Sequence, residues 1–268
     1  MWAMRKGVEG IVWDEAKRFV SKDPTKRKLV AGLYAMSLRG WETGKITRAS
    51  YFFLRQLDDV LDGEMSNANP LKYAQDRRQQ VETGEFIGTS AIDNLAKFAL
   101  PRLEQRAKPG DNPRGEFLTV IDAMMFDHNR RLGRQTTTAD TLLAHHKRSN
   151  DPPFNILLTG IESNLRMRDI PDYGTSMGRI YSVRDLDKDW QLGLINIPDE
   201  VLTTAEVAPS DSLDMVRRNP LVDEWLHEEV TDSSAVLQAV RKEVLPDTEP
   251  LARLIIGGMA RQAMQSVA

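Results

Sequence analysis

The stretch from Arg48 to Leu61 constrains this chain more than any other, because it reads as one helix carrying two stripes. Ala49, Phe52, Phe53, Leu57, Val60 and Leu61 recur at the i, i+3, i+4 spacing of a packed face. Tyr51, Arg55, Asp58 and Asp62 form a polar stripe along the same helix, which must face water or a cavity. Positions four apart share a helix face, so Asp58 and Asp62 project together. About 125 residues later the pattern returns as Arg184-Asp185-Leu186-Asp187-Lys188-Asp189, inside an apolar helical pattern expected to run from Tyr173 to Trp190. Gly193 and Ile197-Pro198 close that second stretch. Each acidic pair has an arginine just ahead of it, an arrangement surface helices have no reason to repeat. Buried unpaired carboxylates are expensive, so two such stripes imply compensating cations.

Hard divalent cations take oxygen ligands, and Mg²⁺ is held by a few carboxylates together with substrate phosphate oxygens. The expectation is therefore two carboxylate pairs facing each other across a helical cavity and holding a diphosphate through Mg²⁺. Metal neutralises the charge that develops on diphosphate as its C–O bond breaks. Arg55 and Arg184 are placed to add bidentate contacts to the same group. A cavity otherwise apolar suits a long hydrocarbon tail, and ionisation of an allylic diphosphate is the chemistry that needs both halves.

The rest of the chain agrees with an all-α fold. Helical patterns are expected at Trp13–Val20, Leu29–Leu38, Pro70–Glu82, Ala91–Arg106 and Phe117–Leu132. Others are expected from Thr138 and Asp140 onward, at Thr203–Val207, Ser210–Arg218, Leu221–Val244 and Pro250–Val267. Ser149-Asn150-Asp151-Pro152-Pro153 is expected to break or kink the helix before it, with an apolar pattern resuming over Phe154–Met167. No alternating run bounded by turns signals a strand. The reading is a single domain over 1–268, a helical bundle around a central apolar cavity.

Composition excludes several classes. A net charge of −3 with 28% charged residues gives no basic footprint for nucleic acid. The absence of cysteine removes disulfide scaffolds and thiolate metal sites. Met1–Gly10 lacks the apolar core of a signal peptide, and no apolar run reaches the ~18 residues of a membrane span. A cytoplasmic protein is expected, with peripheral contact to a membrane open to it as a route to an apolar substrate. His145-His146 are adjacent, do not share a helix face, and are read as surface residues. His128 is read as surface or hydrogen-bonded, and Trp2, Trp13, Trp41 and Trp225 as core or interface anchors.

Together the motifs resemble those of the squalene/phytoene synthase family of head-to-head prenyltransferases. Tyr51-Phe-Phe-Leu-Arg55-Gln-Leu-Asp58-Asp59-Val-Leu-Asp62 is similar to the family's Tyr-x-x-x-Arg-x-x-Asp-Asp-x-x-Asp block. Arg184 to Asp189, with Gly193 and Pro198, is similar to its second Arg-Asp-x-x-x-Asp block and close, and Ile121 to Asp127 to its mid-chain Gly-Met-x-x-Asp element. The resemblance spans roughly residues 28–210. It implies an isoprenoid synthase fold that binds two or three Mg²⁺ ions with the substrate diphosphate and condenses two prenyl diphosphates, C15 or C20, through a cyclopropyl intermediate. By the same resemblance Asp58, Asp62, Asp185 and Asp189 are metal ligands and Asp59 a supporting or water-mediated one. Arg55 and Arg184 contact diphosphate, Tyr51 lines the site near the carbocation, and Tyr181 is a substrate-binding position. NADPH use is not indicated by any motif.

Departures from the family pattern define the alternatives. The Ser-x-Ser-Phe segment is replaced by Leu29-Val30-Ala31-Gly32, and the Gln-x-x-Asn before the second motif reads Gly178 and Tyr181. Asn196 stands for the Tyr of the closing motif, and His145 falls near another usual Tyr. Metal and diphosphate binding survive these changes. They favour, as the alternative to head-to-head coupling, a terpene cyclase that ionises a single prenyl diphosphate. A non-catalytic scaffold derived from the family is the third reading.

Overall fold

The computed structural model describes residues 7–87 and 90–267. Trp2, and with it most of the N-terminal stretch read as no signal peptide, lies outside them. Among the described residues there is no β-strand. The helices are α1 (Val8–Lys22), α2 (Arg27–Ala35), α3 (Trp41–Leu61), α4 (Pro70–Thr83), α5 (Ala91–Arg106), α6 (Pro113–Gly133) and α7 (Ala139–Gly160). They continue as α8 (Tyr173–Arg184), α9 (Leu186–Leu192), α10 (Asp199–Thr204), α11 (Leu213–Arg218), α12 (Pro220–Ala239) and α13 (Pro250–Gln265). No described helix is long and apolar enough to cross a membrane. The chain divides into two compact units: residues to Asp122 with Asn155–Ser163, and Ala123–Phe154 with Asn164 onward.

In the first unit the apolar stripe of α3 does the packing expected of it. Ile46, Ala49, Phe52, Phe53 and Leu57 are fully buried, and α3 lies against α5, whose Leu95, Ala96, Ala99, Leu100 and Leu103 are buried in turn. Alanines on both helices let the backbones approach. Phe19 of α1 meets Phe52 edge-on at 6.4 Å, and Phe53 meets Phe117 at 5.8 Å. Caps fix the boundaries. The Asn69 side chain accepts from the Lys72 N–H ahead of Pro70, and Ser90 accepts from Asp93. Gly84 ends α4 at φ 76°, where a side chain would be strained. Trp13 and Trp41, read as core or interface anchors, are 52% and 63% exposed, which leaves the interface alternative for both.

In the second unit α8 packs on α12 and α13. Leu186, Trp190, Ile195, Ile197, Leu202, Val216, Val222 and Leu226 form one apolar cluster below the second motif, with Trp225 packed against it. Three local expectations are corrected here. The helix expected over Tyr173–Trp190 is broken at Asp185, whose backbone leaves the helical region at φ −94°, ψ 5°. The helix α7 runs through Pro152 and Pro153 rather than ending before them. His145 and His146 are buried, at 3% and 5% exposure, not on the surface. His145 is buried against Phe126 and Asp127 of α6, while the course of α7 and the burial of His146 share another cause. A Cβ on Gly178 would lie 2.7 Å from the His146 Cβ, and one on Gly174 would lie 3.0 Å from the Asp151 backbone N. The α8 glycines thus let α7 lie directly on α8, and that packing outweighs the two ladder hydrogen bonds that the prolines remove.

Candidate active site

The first acidic motif sits at the C-terminal end of α3. The Asp62 N–H donates to the Asp58 carbonyl at 2.8 Å, so the four-residue spacing keeps its helical geometry to the last residue. Gly63, at φ 74°, turns the chain out of the helix. Asp58 is half-buried and Asp62 exposed. Burial, and then the Asp62 charge beside it, push the Asp58 pKa up to about 7 against the pull of Arg55.

Arg55 is the hub of this motif. Its Nη1 donates to Asp58 at 2.6 Å, while its Nη2 reaches Asp59 at 2.6 Å and Glu64 at 3.2 Å. Its guanidinium also lies 5.3 Å from the Phe19 ring centre. Asp59 is fully buried, and its other oxygen pairs with Arg18 of α1 at 2.7 Å. Lys22 pairs with Glu64 from the same helix. Tyr51, one turn before Arg55, stands edge-on to Phe19 and Phe52, and burial holds its hydroxyl protonated far above the usual range. Arg18 and Glu64 were not found by sequence reasoning. Arg18 lies on another helix, and nothing in its local pattern distinguishes it from a solvated arginine.

The second motif is built differently. Asp185 occupies the junction of α8 and α9, and the Asp189 N–H still donates to its carbonyl at 2.9 Å. The pair therefore keeps its spacing across the break. Arg184 binds Asp185 with two nitrogens, Nε at 2.9 Å and Nη2 at 2.5 Å, and lies 4.3 Å over the Tyr181 ring. Gly193 at φ 86° ends α9, and a Cβ there would lie 2.7 Å from the Arg131 carbonyl oxygen. Burial, followed by the Asp185 charge, raises the Asp189 pKa to about 7.

Asp189 is oriented by a chain of side chains behind it. The Asn196 amide nitrogen donates to Asp189 at 3.1 Å, and its oxygen accepts from Arg130 at 3.2 Å. Those two partners together fix which way the amide points. Arg130 is 2% exposed, donates also to the Ile195 carbonyl, and pairs with Asp127 at 3.1 Å. Asp127 in turn meets His145 Nε2 at 2.9 Å. The mid-chain Asp127 and the substituted positions Asn196 and His145 are thus members of one network. Beside it, burial and then His145 push the His146 pKa down to about 3, so its ring is neutral.

The acids fit Mg²⁺ better than a protein-only cage. No group of three or more His, Asp or Glu that would hold a metal occurs among the described residues. Mg²⁺ needs no such group, since one or two carboxylates suffice when phosphate oxygens and water complete the octahedron. In each motif one carboxylate keeps its proton to about 7, first because it is buried and then because a second carboxylate lies beside it. A cation replacing that proton relieves the repulsion. Asp59 has a different setting, with both oxygens engaged by arginines.

The geometry can be set beside known proteins. The model of the squalene/phytoene synthase family matches residues 34–267. No curated protein matches the chain by sequence. The fold is similar to that of a dehydrosqualene synthase, with a TM-score of 0.66 at 16% identity, over 95% of this chain and 86% of that one. It is similar also to the squalene synthase HpnC from Alicyclobacillus acidocaldarius, with a TM-score of 0.67 at 18% identity, over 97% and 92% of the two chains. The fold is accordingly the all-helical one of the isoprenoid synthases, and the chain belongs to the squalene/phytoene synthase family.

Proposed function

We propose that the protein is a Mg²⁺-dependent prenyltransferase that ionises an allylic prenyl diphosphate and joins two such chains, C15 or C20, head to head. The observation that carries this reading is the doubled acid pair. In each motif two carboxylates one turn apart include one whose proton is retained to about 7. Asp58 with Asp62, and Asp185 with Asp189, would hold two or three Mg²⁺ ions through their oxygens. When bound, the metal neutralises the charge that gathers on diphosphate as the C–O bond breaks.

The remaining roles follow from the contacts. Asp59 positions Arg55 rather than reaching the metal. Were Asp58 to hold a cation, Asp59 and Glu64 would still fix the Arg55 guanidinium, and the nitrogen now on Asp58 would be available to a phosphate oxygen. Arg184 would be freed from Asp185 in the same way, and the Tyr181 ring beneath it would keep its plane in place. Tyr51 presents a hydroxyl that stays neutral at any working pH, so it steadies a nearby carbocation without becoming a base.

A specific observation favours the second reading, a cyclase acting on one diphosphate. The close approach of His146 leaves no room for any side chain at Gly178, where the family carries glutamine. The amide donor beside the second motif comes from Asn196 instead. The test is a product assay with Mg²⁺ and C10, C15 and C20 diphosphates offered separately, with and without NADPH, read by mass. A product of twice the substrate carbon number supports the head-to-head reading, and one of unchanged carbon number supports the cyclase. Absence of any Mg²⁺-dependent diphosphate binding supports the non-catalytic scaffold.

A further inference from the structure

Next to the supports of the first motif, the first unit carries a surface that its own packing leaves unfinished. Residues 13–45 hold eight Lys or Arg and four Asp or Glu, a net of +4 in a chain whose total is −3. The remaining residues therefore carry −7. Of the eight cations, Arg18 and Lys22 are paired with Asp59 and Glu64 outside the stretch. The same stretch contains Trp13 and Trp41, 52% and 63% exposed, and Leu38, which stands out at 92%.

These side chains form one assembly. The Trp13 ring meets Tyr34 edge-on at 6.2 Å. The buried Arg48 guanidinium lies 4.4 Å from the Tyr34 ring centre and 5.5 Å from that of Trp41. Arg48 also donates to Ser37 and Glu9, tying α1, α3 and the 3₁₀ turn Met36–Arg39 around one cation. Leu38 and Arg39 are exposed on that turn, and the Lys17 ammonium lies 5.1 Å over Trp13. Of the nine residues of α2 only Leu33 is buried, while Arg27, Lys28 and Leu29 face solvent. Arg27, Lys28 and Arg39 have no acidic partner among the described residues.

Exposed indole and leucine side chains set among unneutralised cations are the composition of a surface that lies in a lipid interface. Indoles settle at headgroup depth, the leucine reaches the acyl boundary, and the cations meet lipid phosphates. Leu38 protrudes from a turn instead of lining a groove, which suits insertion into a soft phase better than contact with a rigid partner. We propose that the face formed by α1, α2 and the start of α3 docks the protein on an anionic lipid bilayer. The inference stands on this surface alone and is independent of which prenyl reaction the acid pairs support.

The test is co-sedimentation of the full chain with phosphatidylcholine vesicles, and with vesicles that also contain phosphatidylglycerol, at low and high salt. The expected result is binding to the anionic vesicles only, weakened by salt, with a blue shift of tryptophan emission. Each cation near an anionic surface contributes about fivefold in affinity, so Arg27→Glu/Lys28→Glu/Arg39→Glu should lose more than ~100-fold. Trp13→Ser/Leu38→Ser/Trp41→Ser should abolish the emission shift, with the helical circular dichroism of both variants unchanged. Absence of vesicle binding, equal binding to neutral vesicles, or binding untouched by both variants would overturn the proposal. Self-association that the same substitutions abolish, without vesicle binding, would assign the face to a second copy of this chain and overturn it too.

Discussion

The two acidic motifs share a spacing and an arginine, yet the molecule supports them by opposite means. At the end of α3 the support is charge on charge: Asp59, fully buried, is held between Arg55 and Arg18, and Arg55 is held again by Glu64. At the α8–α9 junction the acid that needs placing, Asp189, is held by the neutral amide of Asn196, and the charged pair Arg130–Asp127 stands one residue further back. A buried ion pair is costly to break because the partner left behind is an uncompensated charge. A neutral hydrogen bond is worth about 1 kcal/mol and can be lost without unfolding anything. The first motif is therefore part of what holds its unit together, whereas the second can be disturbed as a site alone.

Four experiments would break or sharpen that contrast. The largest effect is expected from the proposed ligands, where the motifs should behave alike. Asp58→Asn and Asp189→Asn should each reduce Mg²⁺-dependent turnover by more than the 10–100-fold typical of residues that only orient a ligand. Near-normal turnover in either would remove that acid from the metal site.

The supports should then separate the motifs. Asn196→Ala is expected to weaken Mg²⁺–diphosphate affinity about 10–100-fold with little change in melting temperature. Arg18→Met should act the other way, lowering stability by roughly 2–4 kcal/mol in denaturant titrations through the half-paired Asp59. If Asn196→Ala were the more destabilising of the two, the contrast would be wrong.

The smallest effect is one of pH. Asp58 and Asp189 keep their protons to about 7, where the unfolded chain releases them near 4. Between those values the native state binds more protons, so these acids contribute less stability as pH rises through the window and nothing further is lost above it. His146 acts with the opposite sign, since its folded pKa of about 3 lies below its unfolded value, and its contribution is lost as pH falls. The acids are isolated by comparison with Asp58→Asn/Asp189→Asn, which should gain melting temperature relative to the unsubstituted protein between pH 5 and 8 in metal-free buffer. A constant difference would mean that neither acid titrates there.

What the sequence made legible follows from how local each signal is. The helix α5 carries its own start in Ser90 and its own apolar spacing, and its expected bounds of Ala91–Arg106 are the observed ones. The polar stripe of α3 was equally plain, because period and composition agree along it. The break at Asp185 was not legible. It is a departure at one residue, with no proline or glycine to announce it. The prolines of α7 misled for the converse reason: a strong local rule was overridden by packing on Gly174 and Gly178, which are distant in sequence.

The same distance hid the support of each site. Asp127 was singled out only through resemblance, and its pairing with Arg130 and His145 depends on where α6 meets α7. Arg18 could be recognised only once α1 was seen beside α3. Burial of His145 and His146 reverses what residue type and adjacency suggest, and exposure of Trp13 and Trp41 removes the core alternative for both. The spacing of the acids can thus be read from sequence, while the side chains that hold them come only with tertiary structure.

The central claim is that the acid pairs hold a diphosphate through Mg²⁺, and it can be tested without knowing the prenyl chain. Inorganic diphosphate would be titrated calorimetrically into the protein with and without Mg²⁺, and then into Asp58→Asn and Asp189→Asn. The account expects binding that requires Mg²⁺ and is lost in both variants. Binding of equal strength without Mg²⁺, or unchanged in both variants, would contradict it.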